Sequence, residues 1–140
     1  MSRLKIAAMI CHALAILPML VVGVIYTISD QYFPHHAAAT SYQWDELTPG
    51  LQILFQAMLN GAGSLMLLTA LTLILLLVIP FRQDEQWCFW AIPLIGISAM
   101  ILTIRSAVFV DLNTPSNPPW LWLLIIIVLF LSGLFLSYKR

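Results

Sequence analysis

The stretch QWCFWAIPLIGISAMILTIRSAVFV, residues 86–110, contains a single full charge, Arg105, in a run long enough to cross the hydrocarbon core of a bilayer. That core is about 30 Å thick and takes roughly 20 helical residues to span. Three further stretches, residues 6–29, 47–81 and 112–138, have the same apolar character and hold no Asp, Glu, Lys or Arg. In lipid every backbone N–H and C=O must be satisfied within the segment, so isolated apolar runs of this length are helices. The expected fold class is an all-α integral membrane protein. Its expected form is a four-transmembrane-helix bundle in one membrane domain over residues 1–140, with helices at approximately 6–29, 49–80, 87–110 and 119–138 and an outward loop at 30–48.

Composition points the same way. Of the 140 residues, 61% are hydrophobic and 9% charged, and the mean hydropathy is +0.96, whereas soluble domains run near a quarter charged. Membrane lipid is therefore the expected surrounding and nucleic acid is not an expected partner. The N-terminus, with Arg3, Lys5, an apolar run and the small residues 37–39, has a signal peptide as its competing interpretation. The apolar run over residues 6–28 exceeds the roughly 7–15 residues of a signal core, which favours an uncleaved first helix.

Charge sets the orientation, because Lys and Arg are retained on the cytoplasmic side. With alternating helices, Arg3, Lys5, Arg82, Lys139 and Arg140 fall together, while the opposite loops hold Asp30, Asp45, Glu46 and Asp111 without Lys or Arg. Both termini are thus expected in the cytoplasm, most simply of a bacterial inner membrane. Aromatic residues mark both interfaces, with Trp87, Phe89, Trp90 and Tyr138 inside and Tyr26, Tyr32, Trp44, Trp120 and Trp122 outside.

Thr48 before Pro49 forms an N-cap and first-turn signal for the second helix. From there to residue 79 it would be about 46 Å long, so it must project outward or tilt. On it Gln52, Gln56 and Asn60 recur every four residues along one face. Counting from Trp90 places Arg105 about 22 Å across the membrane, at the same outer depth. Arg105, Gln52, Gln56 and Asn60, extended inward by Ser98, are the candidate ligand-binding residues for an anionic or carbonyl-bearing amphiphile, since guanidinium and amides supply donors and acceptors to an oxygen-rich headgroup. The competing interpretation has Arg105 snorkelling to headgroups, or paired with Asp45, Glu46 or Asp111, while the amides join helices.

Other chemistry is sparse. Cys11, His12 and Cys88 sit toward the inner face without a fourth ligand, and His35 and His36 are adjacent in the outer loop, so packing roles and no metal are expected. His12 shares a seven-residue line with Lys5 and Met19. The first helix carries no acid, the chain has no Cys-x-x-Cys, and no second intramembrane His is placed to complete a haem site, so no cofactor is expected and the sequence singles out no catalytic residue. Small residues at Ala57, Gly61, Gly63 and Ser64 permit close helix approach in the monomer or a homo-oligomer. The sequence favours a non-catalytic binding or accessory component, partnered by lipid, a lipophilic ligand, another copy or a larger membrane complex. The alternative is a membrane enzyme or transporter acting on a lipophilic substrate at Arg105.

Overall fold

The computed structural model describes residues 2–139. It is all-helical, with no strand among the described residues: α1 (Arg3–Thr27), α2 (Pro34–Thr40), a 3-10 turn (Trp44–Glu46), α3 (Pro49–Val78), α4 (Cys88–Asn113) and α5 (Leu121–Tyr138). Four of the five α-helices, α1, α3, α4 and α5, are long and apolar enough to cross a membrane.

Helix limits differ from the expected ones for local reasons. The Ser2 hydroxyl accepts from the Lys5 N–H at 3.2 Å, an N-cap that starts α1 early and draws Lys5 into the helix. At the end of α4 the Asn113 amide donates to Phe109 O and the Thr114 hydroxyl to Val110 O. These bonds satisfy carbonyls that a helix end leaves bare and carry α4 past residue 110. Pro118 and Pro119 have no N–H to give, and α5 begins only at Leu121. The expected outward loop contains α2 and the 3-10 turn rather than open chain.

The long helices pack unevenly. The most extensive interface joins α1 to α3, followed by α1 with α5 and α4 with α5, whereas the consecutive helices α3 and α4 touch less. On α1 the buried residues Lys5, Ala8, His12, Ala15, Ile16, Met19 and Gly23 form one continuous face. Lipid tails are as apolar as leucine, so hydrophobicity alone does not hold such helices together, and close approach through small residues has to contribute. Gly23 lies against the backbone of Leu67, and Gly63 against the backbone of Tyr26 and Thr27. Gly96 faces the Phe130 ring, and Gly133 faces the ring of His12. Many of the remaining large apolar side chains are exposed, including Leu65, Leu94, Phe109 and Val128.

At the end that carries the N-terminus, Lys5 is only 3% exposed. Its ammonium donates to Arg82 O at 2.9 Å and pairs with Asp84 Oδ1 at 2.8 Å, which ties α1 to the turn between α3 and α4. A buried ammonium needs both a counter-charge and hydrogen-bond acceptors, and this turn supplies them. Asp84 holds a left-handed backbone, φ 67°, a conformation that Asp tolerates better than most residues.

Candidate functional site

The sequence-derived site residues divide between two surroundings. Arg105 and Ser98 are both exposed on α4. Buried residues of α4 occur at Cys88, Ile92, Pro93, Gly96 and Met100, and none lies in residues 101–113. The C-terminal half of α4 is therefore less deeply packed than its N-terminal half: Thr103, Ile104, Ala107 and Val108 are half-buried on one face, and Arg105 stands exposed on another.

The acids considered as partners are engaged elsewhere or exposed. Glu46 Oε2 accepts from the Gln43 N–H at 2.6 Å, Asp111 Oδ2 accepts from the Trp120 indole N–H at 3.1 Å, and Asp45 is exposed. Among the described residues none forms an ion pair with Arg105.

The amides of α3 turn toward α1 and the outer cap. Gln52 Nε2 donates to Trp44 O at 2.8 Å, fastening the 3-10 turn to α3. With its NH2 group directed at the end of α1, Asn60 donates to Tyr26 O and Ser29 O, each at 3.0 Å, with Gln56 O at 3.3 Å. The amide orientation follows from the hydrogen-bond network, since the alternative faces oxygen to oxygen. Asn60 thus serves carbonyls at the C-terminal end of α1 that no helical N–H reaches. Gln56 is half-buried beside them. A period-four polar stripe identifies a face to be kept from lipid, but it does not distinguish a ligand from a helix end as the group that covers it.

Those bonds hold a compact cap at the end of the helices opposite the N-terminus. Tyr32, Ala37 and Leu47 are buried with Leu59 of α3, and Tyr26, Trp44 and Phe55 pack around them. The Tyr32 hydroxyl donates to Tyr42 O at 2.5 Å, and the buried Ser116 hydroxyl donates to His35 O at 2.6 Å, pinning the connection between α4 and α5 to α2. The His35 and His36 rings lie 4.0 Å apart. Tyr26 and Phe33 stack at 4.7 Å beside them, and His36 Nδ1 accepts from the Phe33 N–H at 3.1 Å. Beside this cluster is an open hollow of about 590 Å³ between α2 and the 3-10 turn, lined by residues including Gln31, Phe33, Ser41, Gln43 and Trp44.

Burial, reinforced by the neighbouring His35, lowers the His36 pKa from 6.5 to about 4, and burial lowers that of His35 as well. The native cap thus holds fewer protons than the unfolded chain once the pH falls below about 6.5. Its stability is complete above that value and declines progressively as the pH falls toward 4. No carboxylate stands among the groups facing the rings, which are Tyr26, Tyr32 and Phe33. Lowering the pH from 7.5 to 4.5 is therefore expected to open the cap reversibly, seen as faster proteolysis within residues 28–48. His36→Gln, which keeps an acceptor for the Phe33 N–H without a titrating group, is expected to flatten that dependence. An unchanged pH profile in this variant would remove His36 as the cause.

Toward the other end, His12 is fully buried, and among the described residues neither ring nitrogen has a hydrogen-bond partner. Phe81 meets it edge-on at 5.7 Å, and Phe130 lies tilted against it at 5.9 Å. Cys88 is buried and Cys11 half-buried, both as free thiols. Among the described residues no three His, Cys, Asp or Glu side chains come together as a metal-binding group.

No protein-family model, curated protein or solved structure matches this chain.

Proposed function

We propose that the protein is a four-helix integral component of a bacterial inner membrane, with both termini cytoplasmic. In this role it acts without catalysis as a binding or accessory element whose outward half of α4 meets an anionic headgroup through Arg105. The supporting observation is the exposed face of α4 within residues 101–113, on which the guanidinium has no ion-pair partner among the described residues. A charge at that depth is stabilised by headgroup phosphate or water, and guanidinium binds phosphate through paired donors.

The occupied amides favour a headgroup on the open α4 surface over an enclosed pocket shared with α3. Gln52 and Asn60 already serve backbone carbonyls. A ligand drawing on them would have to break those bonds.

Native mass spectrometry from mild detergent, with phosphatidylglycerol supplied, tests the proposal. The wild-type chain is expected to retain anionic lipid, and Arg105→Gln to lose about tenfold in retained adduct with an unchanged thermal midpoint, as for one charge-assisted contact. Equal retention by both proteins would refute the headgroup role. Labelling of single cysteines placed at residues 43 and 83 tests the orientation, and labelling of position 83 from outside intact cells would reverse it.

A further inference from the structure

The hollow between α2 and the 3-10 turn is separate from Arg105 and has its own chemistry. Its volume, about 590 Å³, falls within the range of small-ligand pockets. Three aromatic residues, the buried Tyr32 and the less buried Phe33 and Trp44, line it together with Pro34. Phe33 and Trp44 are both half-buried, with one face of Phe33 stacked on Tyr26 and Trp44 in edge contact with Tyr32. Three uncharged polar side chains, Gln31, Ser41 and Gln43, share the same concavity. Among the described residues the Gln31 amide and the Ser41 hydroxyl have no hydrogen-bond partner, and the Gln43 amide stands exposed beside them.

The lining contains no Asp, Glu, Lys, Arg or His, so nothing in it selects an ion. It also contains no Leu, Ile, Val or Met, which an amphipathic helix would need to seat its apolar face. Its walls are a helix and a 3-10 turn, not a sheet edge, so an extended peptide finds no ladder to join. A sugar ring satisfies what remains. Its C–H faces lie against aromatic rings, and its hydroxyls both donate and accept, as amide and hydroxyl side chains do.

We propose that this hollow, walled by Phe33 and Trp44 and edged by Gln31, Ser41 and Gln43, is a binding site for a neutral saccharide. Tyr32 supports it from below, because its hydroxyl fixes Tyr42 O and its ring meets Trp44 edge-on at 5.0 Å. The Gln52 bond to Trp44 O holds the same wall to α3, so the site is built on a braced frame.

Titration of the full-length protein in mild detergent with maltotriose and with triacetylchitotriose, followed by saturation-transfer NMR and tryptophan fluorescence, tests the site. At least one trisaccharide is expected to bind saturably with a Kd near or below about 1 mM. Gln31→Ala, at an exposed position with no role in folding, is expected to weaken binding about 3–10-fold, as one lost hydrogen bond does. Trp44→Leu is expected to weaken it by about tenfold or more, since stacking area and shape are lost together. Arg105→Gln is expected to leave saccharide binding unchanged, which separates this site from the headgroup contact. Absence of binding by both trisaccharides at 10-fold higher concentration overturns the proposal. So does tighter binding of trialanine, or a Gln31→Ala variant that binds as wild type.

Discussion

Gly63→Ala is expected to destabilise the protein by about 3 kcal/mol, at the upper end of what overpacking usually costs, while Gly61→Ala two residues away leaves it unchanged or slightly more stable. A Cβ at Gly63 would overlap Tyr26 and Thr27, whose backbone atoms cannot rotate away as a flexible side-chain end can. Relief requires α1 and α3 to move apart along the most extensive interface in the molecule. A Cβ at Gly61 meets nothing within 4 Å. That substitution changes only helix propensity, which favours alanine by about 1 kcal/mol in water. Thermal unfolding in mild detergent compares the two directly. Coincident curves for Gly63→Ala and wild type would show that α1 and α3 are not in close backbone contact.

His12→Leu is expected to stabilise the protein by about 1–3 kcal/mol, the opposite sign from most core substitutions. The imidazole is fully buried among Phe81, Phe130 and Gly133, with neither nitrogen hydrogen-bonded. A neutral imidazole still carries one N–H donor and one acceptor, and leaving both unsatisfied in an apolar interior is unfavourable. Leucine fills a comparable space without that penalty. The same unfolding measurement decides the sign. A loss of stability in His12→Leu would mean that the imidazole has a partner when the protein is in a membrane, such as an internal water or a bound ion. His12→Gln distinguishes packing from polarity, because it keeps donor and acceptor and is expected to give no gain.

The polar residues show where local reading of the sequence stops. The spacing of Asn60 from Gln52 and Gln56 puts it on a polar face of α3. Its acceptors are the carbonyls of Tyr26 and Ser29, and no periodicity in α3 can specify where the end of α1 will lie. In the sequence Lys5 counts only as one of the positive residues expected on the cytoplasmic side. It became a buried ion-paired residue through the Ser2 cap, which starts the helix early, and through the turn that brings Asp84 to 2.8 Å. The one available signal was its position seven residues before His12, which puts both on the face that packs against other helices. Arg105 is visible in the sequence as a charge in an apolar run, yet which face of α4 is exposed, its own or that of the half-buried Thr103, Ile104, Ala107 and Val108, is settled only by the packing.

By itself the sequence determined that there are four long apolar helices, near which residues they begin and end, and on which faces their polar groups lie. These features depend on backbone hydrogen bonding and side-chain spacing within each segment, so each segment carries its own information. The tertiary structure alone decided which glycines are crossing points, why Asn60 serves α1, how residues 28–48 form a cap with a hollow, and why Arg105 remains uncovered. In an apolar solvent the driving force for one helix to choose another is small, and the choice rests on shape matching between residues far apart in the chain. That complementarity exists only once the helices are placed.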